Sequence, residues 1–343
     1  MSLLEHRAAF KPFKYPWAYE AWQTQQQVHW LPEEVPLAED VKDWHSKLND
    51  TERHLLTQIF RFFTQSDIEV NNCYMKHYMK VFQPTEVQMM LSAFSNIETI
   101  HIAAYAHLLD TIGMPEVEYS AFMQYAEMKD KYDYMHTFNV DDKENIARTL
   151  AAFSAFTEGL QLFASFAMLL NFPRFNKMKG MGQIIAWSVR DETLHCKSMI
   201  KVYNTFISEN KSELDVPKLN SEIQAICARI VEMEDRFIDL AFGLGPVEGM
   251  TAEDVKSYIR YIADLRLTQL NIEPLYFIEK HPLPWLSDML NGVEHANFFE
   301  TRATEYSRAA TKGKWEDVFG DFNKKVAEWG PAKPSAQYKN PSA

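Results

Sequence analysis

Glu98 and His101 stand three residues apart in "ETIHIAAY", and Glu192 and His195 repeat the spacing in "RDETLH". Residues i and i+3 of an α-helix project from one face, so each pair can present a carboxylate and an imidazole to one metal ion. The spacing alone is weak evidence, because a chain with 11 histidines produces such a pair by chance. Asp133 and His136 show it too, yet "YAEMKDKYDYMHTF" is charged on several faces and reads as a solvated helix. The other two pairs lie among apolar neighbours (Ile97, Ile100 and Ile102; Ile184, Ile185, Trp187 and Val189), where an unpaired carboxylate is costly to bury. Two further acids share that predicament. Glu158 is the only charge between Arg148 and Arg174, and Asp67 interrupts the aromatic run "IFRFFTQSDIEV".

These residues make an inventory of four carboxylates and two imidazoles on successive helical segments, which suits two metal ions bridged by carboxylates, as in ferritin-like di-iron and di-manganese bundles. Ordinary buried salt bridges are the plain alternative, but few Lys or Arg stand nearby to make them. Hard oxygen donors with imidazole favour iron or manganese over zinc, which prefers fewer ligands in a tetrahedron. Tyr105 stands i+7 from Glu98 and i+4 from His101, on the face that would carry the metals. On pattern alone, a core tyrosine with a satisfied hydroxyl is the better reading.

Helices must position these groups, and the chain reads as all-α. After an irregular aromatic lead-in to about Asp43, one helix starts at the capping candidates Asn49 and Asp50 and stops before Pro84. The next runs from Pro84 and Thr85 to Gly113, and a shorter one covers Val117 to Met135. "DDKENIARTLAAFSAFTEGLQLFASFAMLLNFP" opens on acids and closes at Pro173 as a long buried helix. Further helices cover Gly182 to Glu209, Leu219 to Phe242 and Ala252 to Asn271, the last entered through Thr251 and Asp254 in capping-box spacing. The expected architecture is a ferritin-like helical bundle over residues 1–311, followed by a flexible Lys/Pro/Ser-rich tail over 312–343.

Bulk properties exclude several classes of function. The 343 residues are 46% hydrophobic and 24% charged, as in a globular protein with a large core. A formal net charge of -12 without a basic stripe argues against nucleic acid as a partner. Cys73, Cys196 and Cys227 share no close spacing and suit free thiols in a reducing cytoplasm. The N-terminal stretch lacks a signal-peptide pattern, and the most apolar segment, Gly159 to Phe172, is too short to span a bilayer, so no membrane association is expected.

"SDIEVN", "ETIHIAAY", "FTEG", "RDETLH" and "FFETRATEY", in that order, resemble the small, radical-generating subunit of class I ribonucleotide reductase from about Trp17 to Tyr306. The resemblance implies that Asp67, Glu98 and His101 hold one metal and Glu158, Glu192 and His195 the other, with Glu98 and Glu192 able to bridge; Glu69 is the rejected candidate. It implies two irons first, with manganese as the alternative. It further implies that molecular oxygen activated at the reduced metals leaves Tyr105 as a stable neutral radical, and that a tyrosine there argues against the branch of the family with phenylalanine. Trp30 matches the near-surface tryptophan of a radical-transfer route, Asp191 the acid linking it to His101, and Tyr306 the tail relay, with Tyr338 as the fallback. An acid bonded to a ligating imidazole also fixes its tautomer.

The implied partners are a second copy of the chain, as a homodimer, and a large catalytic subunit that reduces ribonucleoside diphosphates. The family docks its large subunit through the C-terminus, and here Trp315, Phe319 and Phe322 form an i, i+4, i+7 stripe for a groove. The chain departs from the pattern by continuing through Trp329 and "PAKPSAQYKNPSA". Rival readings are an iron-oxidising storage protein, a related di-metal oxidase that binds a long-chain ligand, and a purely structural bundle.

Overall fold

The computed structural model describes residues 2–290. The aromatic lead-in is not irregular as expected: it holds helix α1 (Pro16–Gln27), a 3-10 turn (Pro32–Glu34) and the short α2 (Ala38–Lys42). Pro16 takes a first-turn position, where its missing N–H costs nothing. The buried positions of α1 are Ala18, Ala21 and Gln25, too small or too polar to make the bulky apolar period by which a helix is recognised.

Helix α3 (Asp50–Cys73) starts where expected. The Asn49 side chain accepts from the Glu52 N–H at 2.9 Å, and the Glu52 carboxylate accepts the Asn49 N–H at 3.0 Å. The helix widens into a π-helical segment, Tyr74–Tyr78, before α4 (Met79–Val81) ends it ahead of Pro84. Helix α5 (Thr85–Ile112) closes on Gly113, whose φ of 76° is a left-handed conformation that a side chain would oppose. The single helix expected over Val117 to Met135 is split into a 3-10 run (Glu116–Gln124) and α6 (Ala126–Met135). Tyr125 breaks it with extended dihedrals, its hydroxyl held by Arg61 Nη1 at 2.6 Å and its ring under the guanidinium.

The long buried helix is also interrupted. Asp142 caps α7 (Lys143–Thr149), a π-helical segment spans Leu150–Gln161, and α8 (Leu162–Arg174) follows with Pro173 inside its last turn. The Thr157 hydroxyl bonds back to the Ala152 carbonyl, five residues earlier, at 3.1 Å. Helices α9 (Lys179–Asn210), α10 (Val216–Ala241) and α11 (Ala252–Gln269) complete the set, the last with the expected cap from Thr251 to Asp254. Asp40 replaces a local cap for α9: its carboxylate accepts the Gly180 and Met181 N–H groups at 2.8 and 2.7 Å.

In the core, α3 packs on α5, α9 packs on α8 and on the π segment of residues 150–161, and α10 and α11 pack on that segment and on each other, while α1 lies over α5 and α9. Among the described residues the β structure is one bridge between Val247 and Met250. The helical run Lys143–Arg174 exceeds the apolar stretch read from sequence and is long and apolar enough to cross a membrane, but its most apolar window is wholly buried inside the protein. This is the all-α, ferritin-like architecture expected.

Candidate metal centre

Four elements deliver the six candidate ligands to one place: α3 brings Asp67, α5 Glu98 and His101, the π segment Glu158, and α9 Glu192 and His195. None is more than 1% exposed. Ligand atoms of Asp67, Glu98 and His101 lie within 4.8 Å of one another, as do those of Glu98, Glu158, Glu192 and His195. Glu98 thus stands in both groups. Glu192 reaches toward the first, its Oε1 lying 3.2 Å from His101 Nδ1. The Glu158 turn is seated by its neighbour: Arg266 Nε donates to the Gly159 carbonyl at 2.8 Å, and a Cβ at position 159 would fall 2.6 Å from both Arg266 Nε and Cys196 Sγ.

The donors converge as close ion pairs, His195 Nδ1 lying 3.0 Å from Glu98 Oε1 and His101 Nδ1 3.3 Å from Glu98 Oε2, but without hydrogen bonds of full geometry among them. Asp67 Oδ2, Glu158 Oε2, both carboxylate oxygens of Glu98 and of Glu192, and Nδ1 of His101 and of His195 are all buried with no hydrogen-bond partner. Buried polar groups elsewhere in proteins are paired almost without exception, so such a cluster is what a set of metal ligands looks like in the protein alone. The two imidazoles are oriented to match. His101 Nε2 faces Asp191 Oδ2 at 3.3 Å and His195 Nε2 faces Gln25 Oε1 at 3.1 Å, so both rings turn Nε2 outward to an acceptor and Nδ1 inward to the carboxylates. Four carboxylates and two imidazoles that can give up their inner protons fit a pair of divalent cations, and the residues present pass that test.

Charge tells the same story. Burial, reinforced by Glu98 beside one and Glu192 beside the other, pushes Asp67 and Glu158 well above the usual carboxylate range. Glu98 is held low despite its burial, because His101 and His195 flank it. Burial opposes charge on His195 too, yet Glu192 and Glu98 raise it to about 10, and His101 is raised well above its usual range against the same burial by Asp191 first and then by Glu192 and Glu98. In the protein alone the cluster balances its charge with protons, which bound cations would displace.

Around the centre, Trp30 Nε1 donates to Asp191 Oδ2 at 2.8 Å, giving the chain Trp30, Asp191, His101. Burial works against ionised Asp191, but Arg190, His101 and Trp30 hold it down at about 2. Tyr105 is buried beside Phe63 and His101, its ring 6.3 Å from that of His101, and donates to Ser188 Oγ at 2.7 Å. Glu69 points away, accepting from Gln65 Nε2 at 2.7 Å and facing His136 at 3.2 Å. His136 is half exposed, and Asp133 pairs with Lys129 on the surface, so that pair takes no part in the cluster. Tyr306, Tyr338, Trp315, Phe319 and Phe322 lie outside the described residues.

Two participants escaped the sequence reading. Gln25 links the outer sides of both imidazoles, donating to Asp191 Oδ1 at 3.4 Å while it faces His195, and it sits on the helix that the lead-in concealed. Ser188 could have been found, since it stands i−4 from Glu192 on the same face of α9.

The chain matches the family model for the ribonucleotide reductase small chain over residues 7–282. It is 44% identical over 332 residues to a probable ribonucleoside-diphosphate reductase small subunit of Invertebrate iridescent virus 3, covering 92% of this chain and 88% of that one. It is 31% identical over 314 residues to the ribonucleoside-diphosphate reductase subunit beta of Chlamydia pneumoniae, covering 87% and 89%. Its fold is similar to that of the ribonucleotide reductase R2 subunit from Clostridium botulinum, with a TM-score of 0.77 at 24% identity over 84% of this chain and 94% of the other.

Proposed function

This chain belongs to the ribonucleotide reductase small-chain family, and from that membership we propose how its buried centre serves the reaction. The chain is the small subunit of a class I ribonucleoside-diphosphate reductase, an oxidoreductase that works with a large subunit. Readings as an iron store or as an oxidase with a long-chain ligand find no support in this membership.

In our proposal Asp67, Glu98 and His101 hold one metal ion and Glu158, Glu192 and His195 the other, with Glu98 and Glu192 bridging. The observation that carries it is the convergence of buried ligand atoms without hydrogen-bond partners. When bound, two iron ions, or manganese in their place, supply the redox chemistry of oxygen activation, and this donor set accepts either metal. The protein excludes water from the site and presets both imidazole tautomers through Asp191 and Gln25. Tyr105 is the residue that becomes the radical. Burial and the nearby Asp67 keep it a protonated phenol, so losing one electron means losing the proton of the O–H that Ser188 accepts.

Asp191 joins His101 to Trp30, and we assign these residues, with Tyr306, to the passage of the oxidising equivalent to the large subunit. Residues 1–311 would form the radical-generating domain of a homodimer, and residues 312–343 the docking tail, with Trp315, Phe319 and Phe322 entering the partner. Three buried free cysteines fit a cytoplasmic setting.

The test is electron paramagnetic resonance on metal-free protein reconstituted with ferrous iron and oxygen. A tyrosyl radical in the wild type that vanishes in Tyr105→Phe is expected. Two bound irons without a radical would refute the role of Tyr105 and move the assignment to manganese. Asp67→Ala and His195→Ala should each lose metal in whole-ion steps, and retention of two ions per chain in both would refute the ligand set.

A further inference from the structure

Each of two ligand acids is followed seven residues later by a buried tyrosine: Glu98 by Tyr105 and Asp67 by Tyr74. Seven residues return a helix to nearly the same face, with a drift of about 20°. Tyr105 stands next to Phe63 on the Asp67 side of the centre. Tyr74 stands on the other side, its ring edge-on to that of His195 at 6.3 Å and against Phe94 at 6.2 Å.

Their hydroxyls differ. That of Tyr105 is bonded to Ser188, whereas that of Tyr74 is the only wholly buried hydroxyl among the described residues that makes no hydrogen bond of full geometry. Tyr74 is 0% exposed, so water does not satisfy it. After burial itself, the strongest influences on its phenol are the charges of Glu158 and Glu98 and an approach to Glu158 itself, which is close enough to act on both groups but falls short of full hydrogen-bond geometry, and Glu158 Oε2 is likewise without a well-formed partner. Tyr74 stands where the α-helix that carries Asp67 gives way to the π-helical segment Tyr74–Tyr78.

We propose that Tyr74 is a positioning residue for Glu158: when the ions are in place, its phenol donates to the Glu158 oxygen that does not ligate metal and so fixes the carboxylate. The proposal rests on the metal centre proposed above. A buried hydroxyl short of full hydrogen-bond geometry is a cost to the metal-free fold, and a well-formed bond to a ligating carboxylate is a gain in the loaded one.

The experiment uses full-length metal-free protein, titrated anaerobically with Mn(II) alone while free Mn(II) is followed by electron paramagnetic resonance, with thermal melts of the same samples before metal is added. In Tyr74→Phe one of the two sites should weaken by about 10–100-fold, while the metal-free protein melts no lower than wild type. Tyr74→Leu should show the same weakening together with a lower melting temperature. Lost affinity without lost metal-free stability in Tyr74→Phe is what a packing role cannot produce. Tyr74→Phe binding both ions as wild type does, or melting lower in step with its lost affinity, would overturn this role alone. A wild type that takes up no ion would overturn the metal centre and the role with it.

Discussion

The two ends of the centre are built from the same parts and finished differently. At one end a tyrosine seven residues beyond a ligand acid has its hydroxyl anchored to Ser188, which in turn donates to the Ile184 carbonyl at 3.0 Å. At the other a tyrosine at the same spacing has its hydroxyl beside Glu158 but unanchored by any hydrogen bond of full geometry. Anchoring keeps a phenol in one place whether or not metal is bound, as the radical role proposed for Tyr105 requires. Leaving one unanchored costs stability in the metal-free protein and reserves the hydrogen bond for the loaded state. Position along the helix decides which tyrosines reach the centre, and the partner of the hydroxyl decides what each can do there.

The largest effect that would break this contrast is a double dissociation. Tyr105→Phe should reduce turnover with the large subunit to background while both ions still bind, whereas Tyr74→Phe should retain a radical in every loaded centre. Exchanged phenotypes, seen by electron paramagnetic resonance and metal analysis, would reverse the assignment.

A smaller effect is expected at the shared outer network. Asp191→Asn leaves the shape intact but removes the charge that fixes the His101 tautomer and accepts from Trp30, so metal affinity should fall about 10–100-fold. Affinity equal to wild type by Mn(II) titration would mean that the ring needs no such partner. Smaller again is Ser188→Ala, which strands the Tyr105 hydroxyl and should cost about 1–3 kcal/mol in urea unfolding. An unchanged midpoint would show that the anchored and unanchored phenols do not differ as argued.

The gentlest test is pH. His195 is raised to about 10 in the metal-free protein, so below that value a proton must leave before Nδ1 can ligate. Mn(II) affinity should therefore rise with pH through the neutral range, and a flat profile would show that the imidazoles are already neutral. For the metal-free fold the sign is opposite: a raised histidine contributes stability that is complete below its unfolded pKa and is lost as pH rises toward about 10. The two trends should cross in one set of titrations and melts.

Much of this was legible in the sequence. The caps at Asn49 and Thr251, the stop at Gly113 and the isolation of Glu158 and Asp67 among apolar residues are local signals, and the helices begin and end accordingly. The resemblance of the motifs to ribonucleotide reductase small subunits supplied the family. Helix α1 was hidden because its buried face is Ala18, Ala21 and Gln25, and with it went the partner of His195. The π segments were hidden because no residue type marks a change from an i−4 to an i−5 ladder.

The sequence by itself determined which donors exist and which pairs share a helical face, because i to i+3 and i to i+7 geometry needs nothing beyond the helix. Only the tertiary structure decided that Gln25 meets residues 166 and 170 positions away, that both imidazoles aim Nδ1 inward, and that one tyrosine is anchored and the other is not. Those are contacts between distant segments, set by how helices pack, and a pattern read along one helix contains no information about the side chain that will face it from another.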